Sequence, residues 1–212
     1  MALRLLPREA LLKTGDVDHA AWNYDGLLGF VSRRRFGLVR SLLPQRRARK
    51  LLEVGYGSGV FFPELAKHAD ELYGADIHDR PADVTQVLAR IGIPVQLVTA
   101  PAEALPYADG TFDVVVAVST FEFVTDARKA INELARVLAP DGRVIVVTPG
   151  QSPLLDLALR VFTGESAAED FGDRRKLVVP TLSREMRLER SAYFPLPFPL
   201  PVYRALRLAK RP

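Results

Sequence analysis

The stretch Leu51-Leu-Glu-Val-Gly-Tyr-Gly-Ser-Gly59 decides the fold of this chain. It reads as a short buried strand that ends in glycines placed two positions apart. Glycine has no Cβ atom, so it can take a positive φ and let a bulky group lie against the main chain. A helix after the turn would point unpaired N–H groups at the same place. The stretch therefore predicts a nucleotide-cofactor turn, with a plain strand-to-helix turn as the alternative.

Two residues of this stretch narrow the kind of cofactor. Val60 stands where the dinucleotide fingerprint G-x-G-x-x-G needs its last Gly or Ala, which disfavours a dinucleotide. Glu53 lies inside the strand, where a purely structural buried strand would carry an apolar side chain. A buried carboxylate needs a partner. A cofactor with an ammonium group, held through water or a backbone amide, would supply one.

Composition excludes several classes of site. With 212 residues and 48% hydrophobic content the chain can bury one core, so we predict a single domain over residues 1–212. The lack of cysteine excludes disulfides and thiolate metal ligands, and only three histidines are present, so we predict no metal. No apolar run is long enough for a signal peptide or a membrane span, and we expect a cytoplasmic protein.

After Lys50 the hydrophobic pattern alternates between strand-like and helix-like segments, which indicates a parallel sheet with helices on both faces. The predicted strands are 51–55, 71–76, 94–99, 112–118 and 143–148, the predicted helices are 60–68, 80–91, 126–138 and 152–162, and weaker strand candidates lie at 186–194 and 202–210. The four prolines of 194–201 suggest an extended surface crossing, and residues 165–175 look irregular.

The predicted domain has three parts along the chain. Residues 1–48 form an N-terminal lid and a first helix, 49–150 the cofactor-binding core, and 151–212 an acceptor-side segment. Asp16 and Asp18 are candidates to cap the first helix, which Pro44 ends.

The second predicted strand ends at Asp76, beside the glycine turn at the carboxyl edge of the sheet. An acid in that place can accept hydrogen bonds from both ribose hydroxyls of a nucleotide. A solvated loop acid is the alternative explanation.

Five motifs in combination resemble those of the class I S-adenosylmethionine-dependent methyltransferases, in the group with a Leu-Pro turn before a Phe-Asp-x-Val strand. They are Glu53-Val-Gly-Tyr-Gly-Ser-Gly59, Asp76, Ala102-Glu-Ala-Leu-Pro106, Phe112-Asp-Val-Val115 and Ala135-Arg-Val-Leu-Ala-Pro-Asp-Gly-Arg143. The resemblance implies an α/β fold with a doubly wound, seven-stranded, mostly parallel sheet in the order 3-2-1-4-5-7-6. Strand 7 is antiparallel, and helices cover both faces.

The resemblance also implies S-adenosyl-L-methionine as the cofactor and gives roles to the matched positions. Asp76 would hold the ribose, Ile77 would pack on adenine, and the backbone at Ala102 would meet the adenine edge. The methionine moiety and its methyl group would lie among Glu53, Gly55, Tyr56, Gly57, Val118 and Ser119. One departure matters: Pro101 stands where the group usually has an Asp that accepts from the adenine amine, so we expect Glu103 or water to replace it.

The acceptor side is indicated by residues after the fourth strand and in the N-terminal segment. Glu122 follows the fourth strand between two phenylalanines, where a carboxylate could act as a general base, and His19 and Tyr24 are further candidates. Lipid-modifying cyclopropane synthases carry a similar Phe-Glu pair. We therefore expect methyl transfer by in-line displacement to a small or lipid-like acceptor, with Glu122 as a solvated loop residue the alternative.

Basic residues are concentrated between Phe30 and Lys50, a stretch with no acid, and again near the C-terminus. Such clusters fit an anionic partner, and we predict peripheral contact with an anionic membrane surface, with solvated faces as the alternative. Nucleic-acid methylation is less favoured, because no Asn/Asp-Pro-Pro-Tyr/Phe motif follows the fourth strand. A catalytically silent cofactor-binding partner protein is disfavoured by the intact glycine turn and Asp76.

Overall fold

The computed structural model describes residues 2–15, 18–150, 174–195 and 201–211. Two short 3-10 helices, Arg8–Ala10 and Ala20–Tyr24, precede the first α-helix. The α-helices are α1 Gly26–Leu42, α2 Phe62–Leu65, α3 Pro81–Arg90, α4 Ala127–Val137 and α5 Arg174–Glu185. The strands are β1 Ala48–Val54, β2 Ala69–Asp76, β3 Gln96–Thr99, β4 Phe112–Val118, β5 Leu138–Pro149, β6 Arg187–Phe194 and β7 Tyr203–Ala209.

The described strands form one sheet in the order β3-β2-β1-β4-β5-β7-β6. Strands β1 to β5 run parallel, while β7 is antiparallel to both β5 and β6. The predicted fold class is therefore confirmed, including the two weak strand candidates, which are β6 and β7. In such a sheet the order reverses beside β1, and the carboxyl ends of β1, β2 and β4 border the crevice where ligands bind.

The two faces of the central strands bury separate apolar clusters. On one face Leu51 and Val116 pack with side chains of α1 and α3. On the other, Leu52 and Val115 pack with side chains of α4 and α5. Strands covered on both faces carry apolar residues at successive positions, which explains the near-continuous apolar runs in the sequence. Glu53 interrupts β1 on the same face as Leu51, the face that α1 covers, because side chains alternate along a strand.

The boundaries differ from the predicted ones in several places. The helix predicted at 60–68 shrinks to α2 and flanking turns, and β5 begins at Leu138 rather than 143, since Leu138 pairs with Phe112 across an irregularity in the ladder. Helix α1 begins at Gly26 with Asp25 as its N-cap residue. Asp18 instead accepts hydrogen bonds from the backbone of Thr14 and Ala20.

Helix α5 was not predicted, and the prediction of an irregular segment up to residue 175 is wrong at its end, because α5 begins at Arg174. Pro180 lies inside this helix and hides the helical pattern, although Val178, Leu182 and Met186 recur at intervals of four and are fully buried. The helix predicted at 152–162, Asp16 and most of the Pro-rich stretch lie outside the described residues. Within the described parts of the chain, no helix is long and apolar enough to cross a membrane.

Candidate functional site

The turn after β1 has the backbone conformation that the glycines predicted. Gly55 and Gly57 have φ angles of 76° and 50°, which favour glycine. At Gly55 a Cβ atom would overlap the side chain of Thr120, which follows β4 and donates its hydroxyl to the Val54 carbonyl at 3.0 Å. Glycine at position 55 therefore lets the ends of β1 and β4 approach closely.

Asp76 lies at the end of β2 and faces this turn, as predicted. Its Oδ2 accepts a hydrogen bond from the backbone N–H of Gly57 at 2.7 Å. His78 braces the same turn, because its Nδ1 accepts from the Arg80 N–H at 3.1 Å and its Nε2 lies 3.1 Å from the Gly57 carbonyl. This pattern assigns the proton to Nε2, which donates to that carbonyl. The Asp76 carboxylate is thus held at the crevice. Its other oxygen, Oδ1, accepts from the backbone N–H of His78 at 3.4 Å.

The predicted adenine-binding residues lie along the same edge. Ile77 follows Asp76 and is 71% exposed, so its side chain offers an open apolar face. Ala102 is buried after β3. Glu103 makes hydrogen bonds that the sequence does not indicate. Its Oε1 accepts from the backbone N–H groups of Thr125 and Asp126 at 3.2 and 3.3 Å. A contact from Glu103 to an adenine amine would have to coexist with these bonds.

Glu53 is the most unusual buried group of the site. Its side chain is 3% exposed, and no hydrogen-bond donor among the described residues reaches its Oε2. Burial raises the pKa of Glu53 to about 8, with a further increase from Asp76 and an opposing effect from Arg35. A carboxyl without a partner in this position is suited to receive a cationic group from a ligand.

The other wall of the crevice is the end of β4. Val118 is buried, and Ser119 has a positive φ of 54°, which is uncommon for a residue other than glycine. Its backbone N–H donates to the Val147 carbonyl at 2.8 Å, while its buried Oγ has no hydrogen-bond partner among the described residues. Tyr56, on the opposite wall, is also buried. Its hydroxyl has no hydrogen-bond partner in the described part of the chain, and burial raises its pKa. Unsatisfied polar atoms on both walls fit a crevice that a polar ligand completes.

Glu122 is not a solvated loop residue, because its side chain is 1% exposed. It lies in the turn after β4 and accepts a hydrogen bond from the Thr148 hydroxyl, at the end of β5, at 2.5 Å. Phe121 beside it is fully buried and Phe123 is partly exposed. The neighbouring strand end thus holds the carboxylate at the carboxyl edge of the sheet.

The N-terminal segment lies against the turn, because the backbone N–H of Leu6 donates to the Val60 carbonyl at 3.0 Å. His19 stacks on Trp22 with a ring separation of 4.1 Å, and the Tyr24 hydroxyl donates to the Leu6 carbonyl. Burial raises the pKa of Tyr24 to about 12, which makes this phenol a poor base at neutral pH. Sequence reasoning missed Asn23 and Arg35 here. Asn23 is fully buried, but nothing in its sequence context distinguishes it from a loop residue.

No group of three or more His, Asp or Glu side chains converges on a common point within residues 2–15, 18–150, 174–195 and 201–211. The crevice is therefore built, as far as the structure describes it, from backbone amides, carboxylates, hydroxyls and apolar side chains. These groups can hold a nucleoside with a charged tail. That the protein binds no metal stays a prediction.

Comparisons with known proteins find methyltransferases. The methyltransferase domain family matches residues 52–146. The chain is 36% identical over 123 residues to the ubiquinone/menaquinone biosynthesis C-methyltransferase UbiE of Pasteurella multocida, covering 55% of this chain and 46% of that protein. It is 32% identical over 123 residues to a demethylmenaquinone methyltransferase of Thermus thermophilus, covering 56% of each. The chain thus spans about half the length of these curated relatives.

Solved structures show the same architecture. The N-methyltransferase NodS of Bradyrhizobium japonicum, solved with S-adenosyl-L-homocysteine, superimposes with a TM-score of 0.66 at 20% identity, over 92% of this chain and 94% of that one. Residues 52–146 thus match the methyltransferase domain family, and the chain has the fold of the class I S-adenosylmethionine-dependent methyltransferases.

Proposed function

We propose that this protein transfers the methyl group of S-adenosylmethionine to a carbon atom of a small, lipid-like aromatic acceptor of the quinol type. The cofactor part is carried by one observation: Asp76, the glycine turn and Glu53 face one crevice at the switch point of the sheet, and no donor among the described residues reaches Glu53 Oε2. The acceptor class is supported by the relatives named above, which act in quinone biosynthesis according to their names. Glu122 and an exposed apolar face on α1 add to this support.

When bound, S-adenosylmethionine supplies a methyl group on a positively charged sulfur, which is already a good electrophile. The residues of this chain mainly position the reactants. Asp76 would accept from the ribose hydroxyls, the turn at Gly55 would admit the methionine moiety, and Val118 and Ser119 would border the methyl group. Holding two reactants in line can lower a barrier by roughly 7–11 kcal/mol, so positioning accounts for much of the expected rate.

Methylation of an aromatic carbon also requires a base. The acceptor carbon would gain the methyl group as S-adenosylhomocysteine departs, and it would then have to lose its proton to restore the aromatic ring. Glu122 is our candidate to receive this proton or to promote ionisation of a ring hydroxyl. The hydroxyl of Thr148 orients its carboxylate from the end of β5, and Phe121 excludes water from one side.

An activity assay tests the proposal directly. Purified protein, S-adenosylmethionine and a demethylated naphthoquinol with a short isoprenoid tail should release S-adenosylhomocysteine and yield a product heavier by one methyl group. The matched control is the same quinol without its tail, which we expect to react more slowly. Tight cofactor binding with no turnover on a panel of tailed quinols and phenols would instead support the silent cofactor-binding partner.

A face of α1 beside Phe194 favours a lipid-like acceptor. Leu27 is 76% exposed and Phe30 is also exposed, while the Arg34 guanidinium lies 4.2 Å from the Phe30 ring centre and 5.4 Å from that of Phe194. Apolar side chains beside arginines are typical of helices that lie at a lipid interface. Peripheral contact with an anionic membrane would bring a lipid-soluble acceptor to the enzyme.

A further inference from the structure

An arginine at the antiparallel side of the sheet has a buried donor that nothing described in the chain satisfies. Arg204 lies near the start of β7, and it pairs with the end of β5 at the carboxyl edge. Its side chain is half-buried, and its Nε atom is shielded from solvent with no hydrogen-bond partner among the described residues. A buried, unpartnered donor on a charged group is costly, so a ligand that accepts from Arg204 would be bound favourably.

The register of the strands places Arg204 beside the proposed base. Arg204 and Thr148 are directly opposite each other on β7 and β5, so their Cβ atoms lie on one face of the sheet, about 4.5–5.5 Å apart. It is the face that α4 and α5 cover, because Val146 and Leu206, two positions away, belong to that apolar cluster. Thr148 donates its hydroxyl to Glu122. The guanidinium therefore neighbours the pair formed by Thr148 and Glu122.

The next strand outward supplies an aromatic ring that constrains Arg204. Tyr193 on β6 is opposite Arg204 in the ladder, and its ring centre lies 5.6 Å from the guanidinium carbon. This cation–π contact restricts the side chain and leaves its Nε donor unsatisfied. Thr148 and Tyr193 are both neutral, so the cross-strand neighbours of Arg204 supply no anion. A ligand with a negatively charged oxygen would complete the site.

The order of the strands sets the distance from Arg204 to the expected position of the methyl group. Ser119, which we expect to border that group, follows β4 and donates its backbone N–H to the Val147 carbonyl on β5 at 2.8 Å. β7 lies on the other side of β5, so Arg204 is two strand spacings, or about 10 Å, from the end of β4. That distance leaves room for an aromatic ring between the methyl group and the guanidinium.

We propose that Arg204 is an acceptor-binding residue that holds an ionised hydroxyl oxygen on the ring of the acceptor. The inference rests on the proposed function and narrows its acceptor to an aromatic compound with an acidic ring hydroxyl. Glu122 takes the hydroxyl proton, and charge-assisted hydrogen bonds from Arg204 stabilise the negative charge left on the oxygen. This charge spreads to the ring carbon beside the oxygen, which becomes a better nucleophile toward the methyl group.

A pair of matched ligands separates this role from a structural one. One is a naphthol with a short isoprenoid tail, whose ionisation shifts its ultraviolet absorption, and the other is its methyl ether, which has no proton to lose. Affinity for each is measured with S-adenosylhomocysteine present, on the parent protein and on Arg204→Met, Arg204→Gln, Arg204→Lys and Arg190→Met. Arg190 is the matched control, because it is an exposed arginine on the neighbouring strand β6, nearer the amino edge.

The parent should bind the naphthol about tenfold more tightly than the ether, because a site built to bond a substrate hydroxyl rejects an analogue that blocks it. The bound naphthol should also ionise at a lower pH than the free ligand. Arg204→Met should remove most of both effects, and so should Arg204→Gln, the polar alternative should the first variant fold poorly. Arg204→Lys should keep part of them, because it retains the charge without the planar fork of donors. Arg190→Met should match the parent.

The contrary outcomes are distinct. If the neutral variants of Arg204 keep the preference for naphthol over ether, another group holds the hydroxyl, and the proposal is overturned while the proposed function stands. An equal loss for both ligands also overturns it, because Arg204 would then only support the fold, and melting temperatures would show the same defect. A parent protein that binds S-adenosylhomocysteine but neither aromatic ligand overturns the aromatic acceptor of the proposed function, and the role of Arg204 with it.

Discussion

At the scale of single residues, Asp76 has two tasks that can be separated. It holds the Gly57 N–H at 2.7 Å, and we propose that it also accepts from the ribose. Charge-assisted hydrogen bonds contribute roughly 1.5–3 kcal/mol each, so Asp76→Ala should weaken S-adenosylhomocysteine at least tenfold. Asp76→Asn keeps an acceptor for the Gly57 N–H but loses the charge. Its affinity for S-adenosylhomocysteine should lie between that of the parent and that of Asp76→Ala. Calorimetry that finds unchanged affinity in Asp76→Ala would remove the ribose assignment.

Glu53 should make cofactor binding depend on pH. Its pKa of about 8 in the free protein reflects burial and Asp76 on β2, partly offset by Arg35 on α1. The carboxyl is therefore neutral at pH 6, and the ammonium of the ligand favours its ionised form. Binding should release a proton and strengthen severalfold from pH 6 to 7.5.

Calorimetry in two buffers of different ionisation enthalpy measures that proton. Glu53→Gln is the control, because it keeps the shape of the side chain and removes the titration. The stability of the free protein should depend on pH in the opposite direction to cofactor affinity. A raised pKa means that the ionised form of Glu53 is disfavoured in the folded protein. The free protein should therefore lose stability as pH rises from the ordinary carboxyl range through about 8. If the affinity of the parent protein for the cofactor did not change between pH 6 and 7.5, Glu53 would not be the group that binds the ammonium.

Glu122→Gln tests the proposed base. The amide oxygen can still accept from the Thr148 hydroxyl, so the turn after β4 should keep its structure. Loss of acid–base assistance typically lowers turnover by ~10²-fold, while cofactor affinity and melting temperature should stay at parent values. Thr148→Val provides the comparison, because it removes the orienting hydroxyl and keeps the carboxylate. Equal turnover in Glu122→Gln and parent would leave positioning as the whole mechanism.

The positions of site residues could be predicted only where a backbone motif sets them. Asp76 was placed correctly, because adjacent parallel strands end at the same edge and its neighbour across the edge is the glycine turn. The bonds from Glu103 to Thr125 and Asp126 depend on how a distant loop folds back, and no local pattern contains that information. Arg35 was hidden for a similar reason. The sequence shows a run of arginines, and only the crossing of α1 over β1 singles out one of them.

At the scale of elements, α1 presents different faces to the crevice and to solvent. Its outer face, with Leu27, Phe30 and Arg34, is the candidate for contact with anionic lipid. Vesicles containing anionic lipid should sediment the parent protein at low salt and less of it at high salt, because screening weakens the attraction. Leu27→Ser combined with Phe30→Ser should reduce binding at both salt concentrations.

Leu177 offers a matched control for that experiment. It is 58% exposed on α5, which covers the opposite face of the sheet, and Leu177→Ser should bind vesicles as the parent does. If the parent bound no vesicles at either salt concentration, α1 would be a solvated surface helix. The same would follow if Leu177→Ser reduced binding as much as Leu27→Ser combined with Phe30→Ser.

Elements were predicted well where the period of the pattern was unbroken. β4 was located to the residue, and α3 and α4 to within about a residue at each end. α5 was missed, because Pro180 interrupts an otherwise helical spacing of apolar residues and the packing against α4 outweighs its cost. Local propensity thus failed at a helix that a proline interrupts and that burial against α4 stabilises.

At the scale of the whole molecule, the basic stretch between Phe30 and Lys50 is not one surface. Arg47 donates to Asp70 and to backbone carbonyls of residues 66, 67 and 69, and so it fastens β1 to the turn before β2. The backbone N–H groups of Arg49 and Lys50 donate to Asp113. These residues lie at the amino edge of the sheet, away from the crevice. The basic stretch is thus divided between α1 and the amino edge of the sheet, which weakens the case for a continuous nucleic-acid surface.

The antiparallel edge of the sheet supports the site from a distance. α1 packs on β6 and β7, so the position of Arg35 depends on how firmly these strands are held to β5. The Glu189 carboxylate on β6 joins all three strands. Its Oε2 lies 2.6 Å from Arg143 Nε on β5 and 3.1 Å from Arg207 Nε on β7. Its Oε1 lies 3.0 Å from Arg187 Nη2 on its own strand. Burial alone would raise the pKa of Glu189, but the bonds from Arg143 and Arg207 outweigh it and lower the pKa.

Glu189 should therefore stabilise the protein in a pH-dependent way. A lowered pKa means that the stabilisation is present above the ordinary carboxyl pKa and is lost as pH falls below it. At pH 7, Glu189→Gln should reduce the free energy of unfolding by about 1.5–3 kcal/mol, the usual size for hydrogen bonds to charged groups. Denaturant titration should show this difference shrinking toward pH 3. Asp83→Asn is the control, since its ion pair with Arg80 is half exposed and should contribute less than ~1 kcal/mol. A difference between Glu189→Gln and parent that is as large at pH 3 as at pH 7 would mean that packing, and not the ionised carboxylate, joins the three strands.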